Sequence, residues 1–285
     1  MDPAIFEIYR KLLETESGLV LKPDKSYLLE SRLRNIAEKH GISDLRAMSE
    51  KLTPSRSGAY RELVNDVVDA MTTNETSFFR DSRPFALLTD TVMPALMQAR
   101  PGRKIRIWSA ACSSGQEPYS IITALEESRN KLGVRDWPFE IIATDISRDI
   151  LQQAQDALYS QFEIQRGLPT TMLVKYFVQE GDKWRFKPEY RNRVQFKQLN
   201  LLKDFSHLGN FDIIFCRNVL IYFDQNVKAD ILNRLNQRLP SDGYLFLGGS
   251  ETVFGITDLF KPLPEARGVY IKPESAKSED RSSQS

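Results

Sequence analysis

The chain has 285 residues, 39 lysines and arginines against 38 aspartates and glutamates, and a formal net charge of +1. That length holds one large or two modest domains, and the charge balance excludes a dedicated nucleic-acid binder, which would carry a basic excess. Hydrophobic content of 41% is that of an ordinary globular protein, and no apolar run reaches membrane-spanning length, so no membrane insertion is expected.

The opening Met1-Asp2-Pro3 has neither the basic nor the apolar segment of a secretory leader. The two cysteines, Cys112 and Cys216, sit at apolar strand ends and fit a reducing compartment. A cytoplasmic location and inert cysteine packing are expected. From Ile5 to about Met71 the pattern is helical. Ile5, Ile8, Tyr9, Leu12 and Leu13 form one apolar stripe, and Tyr27, Leu28, Leu33 and Ile36 form another that stops at His40-Gly41. Leu63, Val67, Val68 and Met71 form a further stripe. Residues 1–72 are read as a small all-helical domain without a ligand loop.

Residues 73–91 read as a linker that contributes to a site. Asn74-Glu-Thr-Ser-Phe-Phe-Arg80 offers an amide, a hydroxyl and a guanidinium, and Arg80 suits a carboxylate. The plainer alternative is a structured linker pinned by Phe78 and Phe79, and both can hold at once. After a helix at 85–99, strands alternate with helices. Strands are expected at 104–110, 139–144, 193–199, 211–216 and 244–247, and helices at 118–131, 147–157 and 226–239. Continuous apolar strands between amphipathic helices predict an α/β fold, a doubly wound, mostly parallel sheet covered on both faces. Segments 260–263 and 268–272 predict an antiparallel terminal hairpin. The interval 159–191 breaks the alternation and reads as a small inserted β-subdomain within a 92–273 domain. Residues 274–285 are serine-rich and polar and are expected to be disordered.

Three strand ends carry chemistry. Residues 105–110 run into Ala111-Cys-Ser-Ser-Gly115, all small, and then into a helix with Pro118 in its first turn. Small residues let a ligand approach the backbone, at the place where wound sheets bind nucleotides. The loop has one glycine and no lysine, and ends in Glu117 rather than a phosphate cradle. It suits a cationic ligand such as S-adenosylmethionine. Equally, Glu117 reads as a carboxylate that caps the helix start and favours its dipole. Asp145, at the end of the second strand, can accept both hydroxyls of a ribose, or can cap the next helix beside Ser147. Arg217 and Asn218 emerge at the end of a third apolar strand with Tyr222 close behind. They serve a ligand, or hold a turn. His40 and His207 are not expected to cluster with acids or cysteines, so neither a metal site nor histidine catalysis is expected. The basic residues Arg32, Arg34 and Lys39 read most simply as a solvated helix face.

These motifs resemble those of the CheR-type chemoreceptor glutamate methyltransferases, in order and over nearly the whole chain. The carriers are Thr73-Asn-Glu-Thr-Ser-Phe-Phe-Arg80, Trp108-Ser-Ala-Ala-Cys-Ser-Ser-Gly-Gln-Glu-Pro-Tyr-Ser120, Ala143-Thr-Asp-Ile-Ser147, Asn200-Leu-Leu202 and Phe215-Cys-Arg-Asn-Val-Leu-Ile-Tyr-Phe223. The resemblance implies a class I methyltransferase domain behind the helical one. It implies that Asn74, Thr76, Arg80, Ala111, Glu117, Asp145, Asn200, Leu201, Arg217 and Asn218 line an S-adenosylmethionine pocket, with S-adenosylhomocysteine as product. It places Arg80 and Tyr222 beside the transferred methyl as the catalytic pair. It implies that Arg32, Arg34 and Lys39 engage the cytoplasmic methylation region of chemoreceptors. A monomer is expected. The family's first loop has glycine where this chain has Ala111, and alanine resists positive φ. The turn Gln179-Glu-Gly-Asp-Lys-Trp184 looks shorter than in members that bind a receptor's C-terminal pentapeptide. Independence from that tether is therefore expected.

Overall fold

The computed structural model describes residues 1–52, 58–132 and 138–273. The polar tail expected from 274 onward lies outside them. Helices α1 (Pro3–Ser17), α2 (Ser26–Lys39), α3 (Leu45–Lys51) and α4 (Gly58–Met71) come first. Asp2 and Asp44 cap α1 and α3 by accepting N–H groups of Ala4 and Ala47. The apolar stripes meet in one core of Tyr9, Leu13, Leu29, Leu33, Met48, Val67 and Met71. Each fully buried side chain of this kind contributes roughly 1.5–3 kcal/mol relative to exposure.

One expectation fails here. His40 does meet an acid: its Nε2 lies 2.7 Å from Asp66 Oδ2. Asp66 is buried on α4 and also pairs with Lys39 at 2.8 Å. The contact arises because α2 packs against α4, a juxtaposition that the two stripes alone do not specify. Among the described residues no group of three or more acids, histidines and cysteines could hold a metal.

The expected single helix at 85–99 is α5 (Arg83–Leu87) and α6 (Met93–Ala99) joined by a wider π turn over Leu88–Val92. Met93 N–H bonds back to the Leu88 carbonyl. Pro94 has no N–H to donate and its ring crowds the carbonyl four residues earlier, so the helix widens just before it. The alternation follows: β1 (Ile105–Ala110), α7 (Gln116–Leu132), β2 (Phe139–Asp145), α8 (Arg148–Asp156), β3 (Leu158–Ser160), α9 (Gln161–Gln165), α10 (Thr170–Tyr176), β4 (Phe177–Glu180), β5 (Lys183–Phe186), α11 (Pro188–Arg191), β6 (Val194–Gln198), β7 (Ile213–Cys216), α12 (Gln225–Arg238), β8 (Tyr244–Leu247), β9 (Lys261–Pro262) and β10 (Val269–Ile271).

Among the described residues the main sheet has the order β6-β2-β1-β7-β8-β10-β9. The first five strands are parallel, and β10 runs antiparallel to both β8 and β9. Alternate residues face opposite layers. Ile105, Ile107, Ile213, Phe215 and Phe246 join one core, whereas Trp108, Ala110, Ile214, Cys216 and Leu245 join the other. Both faces are covered, as parallel sheets require. β3, β5 and β4 form a separate antiparallel sheet within the inserted region. Its Tyr159, Tyr176, Phe177 and Phe186 are buried in the first of those two cores, so the insertion shares the main domain's interior.

Candidate active site

β1, β2 and β7 all end at one edge of the sheet, and the residues that leave them line one open cleft of about 980 Å³, counting its solvent mouth. Strand order reverses between β1 and β7, which is where open sheets take ligands. Beyond β1 the chain turns on three left-handed residues, Ala111 (φ 57°), Ser113 (φ 50°) and Gly115 (φ 93°). Ala111 thus adopts the conformation that alanine resists. Ser113 N–H donates to Asp145 Oδ2 at 2.8 Å, and Ser113 Oγ donates to the Asn74 carbonyl at 2.8 Å. The loop therefore ties the end of β2 to the 72–80 segment.

Asp145 is 6% exposed, and its Oδ1 accepts from Ser147 N–H at 3.1 Å. Ser147 is the residue that caps α8. Burial pushes the Asp145 carboxyl upward, against the pull of its backbone donors. Each oxygen keeps a lone pair for a ligand hydroxyl.

Glu117 sits in the first turn of α7 and accepts from Ser109 Oγ at 2.8 Å. Its other oxygen pairs with Arg217 Nη1 at 2.9 Å. Arg217, whose side chain is 1% exposed, also meets Asp81 Oδ2 at 2.7 Å and the Arg80 carbonyl at 3.0 Å. Its buried Nε has no partner among the described residues. Asn218 follows in the left-handed region at φ 58°, which asparagine tolerates.

The cleft brings together every cofactor residue expected from the sequence: Asn74, Thr76, Arg80, Ala111, Glu117, Asp145, Asn200, Leu201, Arg217 and Asn218, with Tyr222 beside them. Arg80 Nη1 donates to the Glu75 carbonyl at 2.8 Å, and Asn200 Nδ2 donates to the Glu16 carbonyl at 2.6 Å.

Two family models cover the chain. One, described as "CheR methyltransferase, all-alpha domain", matches residues 4–72, and the other, "CheR methyltransferase, SAM binding domain", matches residues 74–269. The chain belongs to the CheR methyltransferase family. It is 44% identical over 269 residues to chemotaxis protein methyltransferase Cher2 of Pseudomonas putida, covering 94% of this chain and 97% of that protein. It is 44% identical over 271 residues to chemotaxis protein methyltransferase 1 of Pseudomonas aeruginosa, with 94% and 97% covered. It is 41% identical over 264 residues to chemotaxis protein methyltransferase 1 of Vibrio cholerae, with 92% and 94% covered. A CheR methyltransferase uses S-adenosylmethionine, and this cleft fits it. Asp145 suits the ribose diol, the orphaned Arg217 Nε suits a carboxylate such as that of the methionine moiety, and small loop residues admit close approach.

Some residues that line or support the cleft were not foreseen. Ser17 and Leu19 line it, so the helical domain does form part of its wall. Val20 N–H donates to the Tyr222 carbonyl at 3.3 Å and joins the two domains there. Asp81 lies next to Arg80, yet only folding shows that it balances Arg217. Glu251, 8% exposed, braces the turn from Asn218 to Ile221 with its carboxylate. The Gly-Gly-Ser-Glu251 run was its available signal.

The three basic residues of α2 do not share one free patch. Arg32 donates to the Met71 and Thr72 carbonyls at 3.2 and 3.1 Å and so caps α4. Lys39 is paired with Asp66 while remaining half exposed. Arg34 is exposed on the opposite side of the helix, two residues and about 200° from Arg32.

Proposed function

We propose that this methyltransferase esterifies glutamate side chains in the cytoplasmic methylation region of chemoreceptors, acting in the cytoplasm as a monomer, with S-adenosylhomocysteine as product. The observation that carries the reading is the cleft itself, in which an accessible guanidinium and a tyrosine stand beside a buried ribose-type acid. Bound there, S-adenosylmethionine supplies a methyl group on a cationic sulfur, which an ionised carboxylate accepts to give a methyl ester and a neutral thioether.

Asp145 and Arg217 hold the cofactor's polar ends. Arg80 orients the acceptor carboxylate, and Tyr222 shapes the pocket around it. Glutamate is ionised at neutral pH, so no general base is needed. Among the described residues no histidine lines the cleft, which fits that chemistry. Rate comes from alignment and exclusion of water, which the 72–80 segment supplies as one wall. Arg80 must not grip too tightly, because the acceptor's charge fades along the reaction.

Receptor docking draws on Lys39 and Arg32 along one side of α2, with Arg34 exposed on the other side of the helix. The turn of the inserted hairpin is only Gly181-Asp182, between strands ending at Glu180 and starting at Lys183. That short turn supports pentapeptide independence. Transfer of tritiated methyl to receptor fragments with and without the C-terminal peptide, read as base-labile methanol, tests both points. Equal labelling is expected, and labelling only with the peptide refutes independence. Arg80→Ala is expected to cut turnover by about 100-fold, the scale of losing a positioning contact. Near-normal turnover refutes its assigned role.

A further inference from the structure

The inserted subdomain touches the cleft wall at one unusually close corner. Gly167 follows α9 with φ 99°. A Cβ built there would lie 2.0 Å from the Phe78 carbonyl oxygen, so no side chain fits without moving that backbone. The approach is fixed from both sides. Phe78 is 1% exposed and packs edge-on against Tyr159 at 5.0 Å and Phe177 at 5.5 Å, both from the insertion. Next door, Arg166 Nη2 meets Glu75 Oε1 at 3.0 Å.

What this corner presses on is strained. Phe79, Asp81 and Ser82 all have positive φ, at 49°, 66° and 43°. Non-glycine residues hold such conformations only where their surroundings over-determine them. Here the surroundings are Phe78 under Gly167, Ser120 Oγ accepting from Phe79 N–H at 2.9 Å, and Arg217 bonded to the Arg80 carbonyl. Arg80 is thus flanked by strained residues, and its own guanidinium is tied to the carbonyl of Glu75. Glu75 is the partner of Arg166.

We propose that the Gly167 corner, with Arg166, is a positioning element that sets Arg80 in the cleft from outside it. The proposal deepens the methyl-transfer reading and rests on it for its activity arm. It also gives the insertion a role that needs no peptide: any contact shifting α9 would be felt at Arg80.

The test uses the full chain as wild type, Gly167→Ala, Arg80→Ala and the double variant. Thermal midpoints, calorimetric affinity for S-adenosylhomocysteine, and kcat and KM on a receptor fragment are measured well below the lowest midpoint. Gly167→Ala is expected to lower kcat by about tenfold and S-adenosylhomocysteine affinity by about threefold, because Asn74 and Thr76 belong to the same 72–80 segment. In the Arg80→Ala background, Gly167→Ala is expected to cost less than about twofold in kcat, the mark of one shared route. A merely structural role would lower the midpoint and leave kcat alone. Folded Gly167→Ala with both quantities within about twofold of wild type, or equal kcat losses in the two backgrounds, overturns the proposal. If Gly167→Ala does not fold, Arg166→Ala decides: a loss of about two- to fivefold in kcat, the scale of an exposed pair, supports the proposal and no loss overturns it. If wild type labels no receptor fragment, the activity reading fails on its own, and the S-adenosylhomocysteine arm alone judges the corner.

Discussion

Glu251→Gln is a near-isosteric change with a large expected effect. The Glu251 carboxylate takes five backbone N–H groups. Oε2 accepts from Gly248 and Asn218, each at 2.7 Å. Oε1 accepts from Val219 at 3.0 Å, Leu220 at 2.7 Å and Ile221 at 3.3 Å. Gly248 allows this approach, since a Cβ there would lie 2.8 Å from Oε2 and 2.9 Å from Asn218 N. Glutamine keeps one acceptor oxygen and turns an NH₂ toward the other donors. With the carbonyl on the Oε1 side, Gly248 and Asn218 N–H are left facing a donor. Each orphaned buried donor costs about 1–3 kcal/mol, and the three remaining bonds lose their charge assistance. Partial rotation of the turn into solvent recovers some of this, leaving about 3–5 kcal/mol, a large share of a typical folding stability of about 5–15 kcal/mol. The midpoint of thermal unfolding is expected to fall by about 10 °C. Because Asn218 and Tyr222 line the cleft, affinity for S-adenosylhomocysteine is expected to fall with it. Urea denaturation gives the stability, and calorimetry below the lowered midpoint gives the affinity. A loss under about 1 kcal/mol with unchanged affinity would show that water readily replaces the carboxylate, refuting the account of the turn.

Three further outcomes follow from single side chains. Ala111→Gly removes a left-handed alanine and is expected to stabilise the fold by about 0.5–1 kcal/mol, the αL relief less the glycine entropy cost, in urea melts; destabilisation would show that the methyl packs usefully. Asp145→Asn keeps an acceptor for one of the Ser113 and Ser147 N–H groups but lowers the site's affinity for ribose hydroxyls. Calorimetry is expected to show S-adenosylhomocysteine bound at least about tenfold more weakly, and an unchanged Kd would remove Asp145 from the cofactor's contacts. Asp69, on α4 beside Arg148 of α8 at 4.0 Å, is pushed up to about 6 by burial, which outweighs the pull of that arginine. Its folded pKa stands above the unfolded value, so the folded state holds the extra proton between about pH 4 and 6, and stability falls as pH rises through that window. Asp69→Asn is therefore expected to stabilise the protein by about 2 kcal/mol at pH 7.5 and by almost nothing near pH 4; a pH-independent difference would refute the titration.

Elements governed by local periodicity were legible in the sequence. β1, β2, β7 and β8 stand where apolar runs placed them, because strands buried on both faces leave continuous hydrophobic segments. The edge strand β6 and the terminal hairpin also stand where they were expected, though Gln195, Lys197 and Gln198 of β6 are exposed. The loop after β1 announced itself by five small residues in a row. Features that depend on a distant partner left no such mark. Arg217 meets Asp81 across 136 positions and Glu117 across 100. His40 meets Asp66 only because α2 and α4 pack together. The π turn is a different case: Pro94 within an expected helix was a visible warning that the hydrogen-bond ladder could not continue unchanged.

Electrostatics shows the same division between what is local and what is assembled. From the sequence, Glu117 was one candidate for the anion that welcomes a cationic ligand. In the fold its charge is bound to Arg217, buried beside it. Arg217 in turn has a second carboxylate, Asp81, which is half exposed. The formal charges of this triad sum to −1, and Asp145 adds another negative charge in its ionised form. The sign of the site thus agrees with the reading from sequence while its carrier differs. Glu117 acts by keeping a buried guanidinium paired, and a buried charge left without its partner is far more costly than a lost surface contact. Under the proposed reading the attraction for a cationic sulfur falls to Asp145, which lines the cleft and, among the described residues, is held by backbone N–H groups rather than by a paired cation. An acid read from a motif can therefore be essential to a cation site without being the group that faces the cation.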